Sequence, residues 1–182
     1  MNKKVWSACA ASMAIALGVW ADQTQPFQAS LTPDIAVCDR DTRIEGLALN
    51  VWGENPQSSL TIGFVNGSKG DSSGLSWGFI CNYAEDYTGL QLGLVNVASE
   101  SVRGVQWGCV NLADKSMAGL QLGWVNYTQA LKGLQLGLVN YAKTADSGVQ
   151  VGLVNLLPAN EEWFGRLPDE LAPGMILVNW HF

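Results

Sequence analysis

The stretch GLQLGLVN at residues 89–96 recurs almost unchanged through the second half of this sequence. Further copies begin at Gly104, Gly119, Gly133 and Gly148, so successive copies start 15, 15, 14 and 15 residues apart. Degenerate copies continue the 15-residue spacing upstream, at residues 74–80 and 59–66. A fixed period of this kind predicts an architecture assembled from one repeated unit, and it identifies no particular activity.

Each copy has the alternation of a β-strand. In the copy at residues 89–96, the first three leucines lie on one face of an extended chain, and Gln91 lies on the other face with the two glycines. A helix would need apolar residues three and four apart, and two glycines per copy would cost it about 1 kcal/mol each. We therefore predict an all-β chain of about ten strands, from residues 30–38 to residues 174–182.

The leading prediction for the fold is an antiparallel meander of about ten strands closed as a small barrel. Strands of this length, an even number of them and an N-terminal export signal are typical of outer-membrane barrels. The last strand alternates apolar residues up to Trp180 and the terminal Phe182, which resembles the signal by which such barrels are recognised for assembly. Trp180 and Phe182 are therefore candidate assembly-signal residues.

Two observations favour the alternative, a β-solenoid of 15-residue coils. A meander reverses direction at every strand and should repeat every two strands, whereas each coil of a solenoid meets the same surroundings. In a barrel, strict alternation would also place equivalent residues on different faces. Val178 of the last strand would face lipid, whereas its counterpart Val95 would face inward, unless a bulge near Val95 changes the face. The varying segments between copies and the single 14-residue spacing favour the barrel instead.

The N-terminus predicts export. Residues 1–4 are basic and residues 5–20 are almost wholly apolar, so residues 1–21 form a predicted signal peptide, leaving residues 22–182 as a single β-repeat domain. Cleavage removes two of the 10 basic residues and none of the 16 acidic ones, so the mature net charge is −8. This acidic balance excludes nucleic acid as an expected partner.

The sequence offers no catalytic constellation, cofactor site or metal site. Its one histidine, His181, is the penultimate residue, and no nucleophile lies in a recognisable elbow. The mature chain keeps Cys38, Cys81 and Cys109, a set too sparse for a disulfide framework and without metal-ligand spacing. We therefore expect a non-enzymatic protein without cofactors.

Two groups of residues are candidates for binding. Five consecutive copies have glutamine at the same position, which predicts a row of Gln91, Gln106, Gln121, Gln135 and Gln150 across the sheet. In a barrel this row would line the lumen; in a soluble sheet it would face water or stack as an amide ladder. The longer segment at residues 157–173 carries Trp163 and Phe164, a candidate contact loop for a partner or a lipid headgroup.

These G-[LV]-Q-x-G-x-V-N units, with LTPDIAV and WGENPQSS before them and LAPGMILVNWHF after them, resemble a group of uncharacterised bacterial exported surface-repeat proteins. The resemblance covers nearly all of residues 28–182. It implies export and a cell-envelope setting, and it brings no activity or catalytic residues.

Together these features predict a non-enzymatic cell-envelope protein, an outer-membrane β-barrel with a structural, adhesive or narrow-pore role. Its expected partners are outer-membrane lipid and the barrel assembly machinery, and the outer membrane is preferred over the periplasm or the exterior. The alternative is an exported soluble β-repeat module that binds a glycan, a peptide or a protein.

Overall fold

The computed structural model describes residues 24–182, which contain eight strands and no helix. The strands are β1 (Gln25–Thr32), β2 (Ile35–Ala36), β3 (Ile44–Asn55), β4 (Ser58–Ala98), β5 (Ser101–Trp107), β6 (Val110–Leu122), β7 (Val125–Leu156) and β8 (Gly174–His181). The predicted signal peptide at residues 1–21 lies outside the described residues. Strands β4 and β7 each run through several copies of the repeat, so most segments between copies are extended chain.

Consecutive copies of the repeat pair in parallel. Gly104 of β5 is in register with Gly89 of β4 on one side and with Gly119 of β6 on the other. The sheet order is β2-β1-β3-β4-β5-β6-β7-β8, and among these strands only β2 and β8, at its two ends, pair antiparallel. The all-β prediction is confirmed, whereas the antiparallel meander closed as a barrel is wrong. The chain forms parallel stacked coils, the arrangement of the alternative, a β-solenoid.

The repeat period is the physical reason for this topology. In a stack of coils, every copy has a copy above it and a copy below it in the same direction, so one sequence suits every level. The single 14-residue spacing is absorbed by a register shift between Ala113 and Ser116, where β6 has one residue more than β7. On either side of this shift, the asparagines, glycines and glutamines of β6 and β7 remain in register, as at Asn111 with Asn126 and Gln121 with Gln135.

A bend at the second glycine of the motif changes the face that each side chain occupies. Strand β5 ends at Trp107 and β6 begins at Val110, so the chain bends at Gly108 between them. Gln106 and Asn111 are five residues apart, an odd number, yet both are fully buried in the coil. The bend therefore changes the face of the strand that points inward, as a bulge near Val95 would do.

Asparagine side chains form a continuous hydrogen-bonded ladder inside the stack. In each step the Nδ2 of one asparagine donates to the Oδ1 of the next, at 2.8 to 3.1 Å. The ladder consists of Asn50, Asn66, Asn82, Asn96, Asn111, Asn126, Asn140 and Asn155. The second amide proton of Asn111 goes to the carbonyl of Leu122, which fixes the nitrogen and oxygen positions of the amide.

The five glutamines form a second ladder with the opposite polarity. Each Nε2 donates back to the Oε1 of the preceding glutamine at 2.7 to 3.0 Å, as Gln121 does to Gln106. The second proton of Gln121 goes to the carbonyl of Tyr127. Because the two ladders donate in opposite directions, their amide dipoles oppose each other within the same interior.

The first glycine of the motif is required by the close approach of neighbouring coils. Gly104 has a φ of 133°, and a Cβ there would lie 2.1 Å from the carbonyl oxygen of Gly89. No side chain fits at that distance, and the same conflict recurs at Gly74, Gly89, Gly119 and Gly133. It does not recur at Gly148, and the upstream copy has Ser59 at this position. The glycine column therefore sets the spacing at which the amide ladders close.

The later coils also hold an apolar cluster, and the two ends of the stack are capped. The apolar cluster consists of Ala98, Val102, Ala113, Met117, Leu131, Ala142 and Leu157. At the N-terminal end, buried Gln28 donates to the Cys38 carbonyl and to Asn55 Oδ1. At the C-terminal end, β8 covers the last coil, and buried Asn179 donates to the Ala172 carbonyl. Repeat stacks need such non-repeating caps.

We expect Asn111→Leu to lower the free energy of unfolding by about 3 kcal/mol or more, because it leaves the buried Asn96 Nδ2 and Asn126 Oδ1 without a hydrogen bond. Urea unfolding measures the change. The control is Gln129→Leu in the polar part of a coil, where a change below about 0.5 kcal/mol is expected. Equal effects of the two substitutions would contradict a stabilising role for the ladder.

Deletion of residues 104–118, one whole coil, should yield a shorter folded protein. The deletion places Asn96 below Asn126 and Gln91 below Gln121, so both ladders close again. Circular dichroism and small-angle scattering should show unchanged β-structure and a shorter particle. Deletion of residues 104–110 is the control, because half a coil breaks the register and should prevent folding. Unfolding by both deletions would argue against stacked coils.

Candidate functional site

An apolar surface runs along the outside of the stacked coils. In each copy of the repeat, the side chains that alternate with the buried glutamine and asparagine point outward, and they are aliphatic or aromatic. We call this surface the apolar face; its most exposed members are Phe64, Trp77, Phe79, Leu94, Trp107, Trp124, Leu138 and Leu153. Trp124 and Trp107 are 64% and 61% exposed, so the face is not covered by any part of the described chain.

Aromatic rings form much of this face. The ring of Phe79 lies 5.6 Å from that of Phe64 and 5.6 Å from that of Trp77, and both pairs are tilted. Further along, Tyr127 and Tyr141 stack with their centroids 5.3 Å apart and an interplanar angle of 7°. Such geometries are favourable ring contacts, and they align the aromatic side chains along the stack.

Charged residues are segregated from the apolar face. The ten residues that begin each of the five clear copies, such as 104–113, contain no Asp, Glu, Lys or Arg. The charges lie in the remaining part of each coil, as at Arg103, Lys115 and Lys132, all exposed. The coil therefore has an apolar outer arc and a polar outer arc around one interior.

Within residues 24–182 no helix combines the length and the hydropathy needed to cross a membrane.

The glutamine row lies inside the stack. All five glutamines are 0% exposed and hydrogen-bonded to one another, so they form an amide ladder and line no open lumen in the described chain. The ladder ends within the fold, because Gln91 Nε2 and Gln150 Oε1 have no hydrogen-bond partner among the described residues. At the level before Gln91 the slot is occupied by buried Ser76, whose shorter side chain bonds Asn82 instead.

Trp180 and Phe182 belong to the C-terminal cap. The Trp180 indole donates to the Pro168 carbonyl at 2.8 Å, and the Phe182 amide donates to the Asp169 carbonyl at 2.9 Å. The alternating residues that resemble an assembly signal thus belong to the C-terminal cap. A role in assembly presupposed a closed barrel. Nearby, Trp163 and Phe164 are exposed in the loop before β8.

His181 lies in a polar cluster that holds the cap together. Its Nδ1 is 2.7 Å from Asn160 Oδ1 and 3.4 Å from Glu170 Oε2, a carboxylate that is 3% exposed. Asn160 in turn donates to the carbonyls of Ala172 and Trp180. Because the bonds of His181 and Trp180 join the loop to β8, the cluster explains how the cap is fixed.

No metal site is formed by the described residues. In residues 24–182 no group of three or more His, Cys, Asp or Glu side chains could hold a metal ion. Cys38, Cys81 and Cys109 are free thiols, each partly buried, and burial raises the pKa of Cys38 and Cys81. A raised pKa keeps these thiols protonated and unreactive at neutral pH.

A charged cluster lies near the N-terminal end. Glu54 accepts hydrogen bonds from the Tyr83 hydroxyl at 2.6 Å and from Arg40 at 2.8 Å. Burial and the bond to Glu54 raise the pKa of Tyr83 to about 12, so this hydroxyl remains a donor. Burial alone would raise the pKa of Glu54, but the bonds from Tyr83 and Arg40 and the charges of Arg40 and Lys69 outweigh it and lower the pKa.

An apolar groove opens beside this cluster. The groove, which we call the N-terminal groove, has a volume of about 630 Å³ and lies between β2 and the first coils. Its apolar lining includes Leu31, Ile35, Val37, Leu49, Ile62 and Phe79. The polar side chains in its wall, Ser30 and Asn50, are buried and bonded to each other at 2.6 Å. No pattern in the sequence predicts this groove, because the wall that β2 contributes lies outside the repeat.

The lowered pKa of Glu54 predicts acid sensitivity. A carboxyl whose folded pKa is depressed contributes stability above its unfolded pKa of about 4.3, and this contribution is lost as the pH falls through the folded pKa. We expect Glu54→Gln to lower the urea midpoint at pH 7 and to have less effect below about pH 4. Glu45→Gln, an exposed site on the same strand, is the control. A Glu54→Gln effect independent of pH would exclude the ionised carboxylate as the cause.

No protein-family model matches the sequence, and neither a curated protein nor a solved structure matches the chain.

Proposed function

We propose that this protein is a non-enzymatic component of a bacterial cell envelope that binds a lipid surface through its apolar face. The proposal rests on one observation. Five ten-residue segments, one in each clear copy, contain no charged residue, and their outward side chains are apolar. The predicted signal peptide and the resemblance to exported surface-repeat proteins support the envelope setting and the preference for the outer membrane.

The size of the apolar face supports an interaction role. Strands are spaced about 4.8 Å apart, so seven levels extend roughly 30 Å, and about five residues on each side of the bend add roughly 15 Å of width. Each side thus covers about 450 Å², and the two together exceed the 300–600 Å² typical of the largest apolar patch on a monomer. Surfaces of this extent are typical of protein or membrane contacts.

The chemistry of the face favours lipid over a protein partner. Protein interfaces carry about one hydrogen bond per 100–200 Å², yet the outward side chains here offer few polar groups apart from the indoles and phenols. Trp107, Trp124 and Tyr127 combine an apolar body with a polar tip, the property that places such residues at lipid–water boundaries. The acidic net charge favours zwitterionic over anionic lipid.

Because the coils are parallel and stacked, we propose that the protein lies on the membrane and does not span it. A narrow pore is not part of this proposal, because asparagine and glutamine ladders fill the described interior. Structural and adhesive roles are compatible with a protein that lies on a lipid surface. An exported module that binds a protein partner is the competing class, and the vesicle experiment separates the two.

The purified protein should float with phosphatidylcholine vesicles, with a blue shift of tryptophan fluorescence. Trp124→Ser should lower the partition coefficient about tenfold, because a buried large apolar side chain contributes about 1.5–3 kcal/mol. Binding should change little between low and high salt, since the apolar arcs carry no charge.

Lys132→Ser is the matched control, because Lys132 is equally exposed but lies on the polar arc. It should bind vesicles as the unsubstituted protein does. Failure to bind vesicles, or equal losses for Trp124→Ser and Lys132→Ser, would overturn the lipid proposal. Vesicle-independent dimers that Trp124→Ser abolishes would instead favour a protein partner.

A further inference from the structure

We propose that the stack encloses a water-binding site, in which one buried water molecule joins Ser76 to Gln91 at the N-terminal end of the glutamine ladder. Two polar atoms in this part of the interior, Gln91 Nε2 and the Tyr87 hydroxyl, have no hydrogen-bond partner among the described residues. The site lies inside the coils and does not rest on lipid binding by the apolar face.

The Gln91 amide directs its nitrogen toward the level that contains Ser76. Gln106 donates to Gln91 Oε1 at 3.0 Å, so the oxygen faces the next level and the nitrogen faces the preceding one, as in the later rungs. A Cβ on Gly89 would lie 2.1 Å from the carbonyl oxygen of Gly74, so these two glycines lie one above the other. Two residues further along each coil, Gln91 therefore lies over Ser76.

Ser76 does not bond Gln91 directly. Its Oγ donates to Asn82 Oδ1 at 2.8 Å, and its side chain is shorter than the glutamine of the later rungs. The Gln91 amide protons are unpaired within the described chain, whereas Gln106 uses its second proton on the Leu112 carbonyl. A serine hydroxyl has one proton and two lone pairs, so Ser76 can still accept a bond. A donor on one side and an acceptor on the other are the contacts that a bridging water makes.

The Tyr87 hydroxyl is a third polar group in the same turn of the coil. Tyr87 is 2% exposed and precedes Gln91 by four residues, so it lies between the level of Ser76 and the level of Gln91. Later coils continue its column with apolar residues, which are Val102, Met117 and Leu131. Burial raises the pKa of Tyr87, so the hydroxyl stays protonated and can both donate and accept.

The chemistry of the site selects water over an ion or an apolar occupant. Serine in place of glutamine leaves out a methylene group and most of an amide, and a buried site lined by polar groups holds water where an apolar one stays dry. The one charged side chain buried in residues 24–182 is Glu170, in the C-terminal cap, so an ion here would lack a counter-charge. A buried water typically makes about three hydrogen bonds, as many as Gln91, Ser76 and Tyr87 together offer.

Nuclear Overhauser spectra recorded between water and the side-chain amides of the full chain test the site. The Gln91 amide protons should show cross-peaks to water with the sign of a long-lived, bound molecule. Gln121 is the matched control within the ladder, because its amide bonds Gln106 and the Tyr127 carbonyl, and it should show none. Tyr87→Phe should retain the Gln91 signal, which excludes transfer through the tyrosine hydroxyl.

Two variants at Ser76 should give different results. Ser76→Val removes the acceptor and fills the space, so the Gln91 cross-peak should disappear and the urea midpoint should fall, because Gln91 is left without a partner. Ser99→Val, at an exposed position, is the control and should change neither. Ser76→Gln/Tyr87→Val copies the interior of the next level, so the new amide should replace the water. The cross-peak should then disappear while the urea midpoint does not fall.

Several results would overturn the water site. These are the absence of a Gln91 cross-peak in the unsubstituted protein, an equal cross-peak at Gln121, and a Gln91 cross-peak that persists in either Ser76 variant. Equal falls of the urea midpoint in Ser76→Val and in Ser76→Gln/Tyr87→Val would also overturn it, because an amide would then be no substitute for the bound molecule.

Discussion

Within the two amide ladders, each asparagine or glutamine bonds a like amide one level away, and the rest of the structure depends on that constraint. Asn111 accepts from Asn96 and donates to Asn126, so removal of one rung affects three levels. A buried amide without a partner costs about 1–3 kcal/mol, which makes register errors expensive at every level. Glycines such as Gly104 permit the close approach of neighbouring coils, and the 14-residue spacing among the clear copies is absorbed by the shift between Ala113 and Ser116.

The sequence predicted the strands and the rows of like residues, because these follow from local alternation and from the period. It also included the amide ladder among the arrangements open to Gln91 and its counterparts. The direction of neighbouring strands could not be obtained from alternation, since a strand with one face inward has the same pattern in parallel and antiparallel sheets. The period contained that information, but the last strand suggested a barrel. In the structure the residue of β8 that is buried is Asn179, whereas Trp180 bonds the loop before β8 and Phe182 is exposed.

The ends of the stack were least predictable, for a physical reason. A cap must satisfy an interior on one side and face solvent on the other, so it cannot use the repeat sequence. Gln28 bonds Cys38 and Asn55, residues 10 and 27 positions away, and no local pattern marks such a contact. The N-terminal groove arises where this non-repeating segment packs against the first copies of the repeat. The candidate surface on the repeat could be inferred in part from the charge-free arcs, whereas the groove required the structure.

The distribution of polarity is inverted relative to a globular core, and this inversion connects the fold with its proposed role. Almost half of the residues, 48%, are hydrophobic, yet two interior positions in each of the five clear copies hold amides. A narrow coil has few interior positions, so most leucine and valine side chains must point outward, as Leu94 and Leu153 do. Backbone pairing and side-chain ladders therefore hold the coils together, while much of the hydrophobic free energy remains unrealised in the isolated chain. That free energy becomes available only when the apolar face leaves water, which is why a lipid surface is the partner most consistent with this sequence.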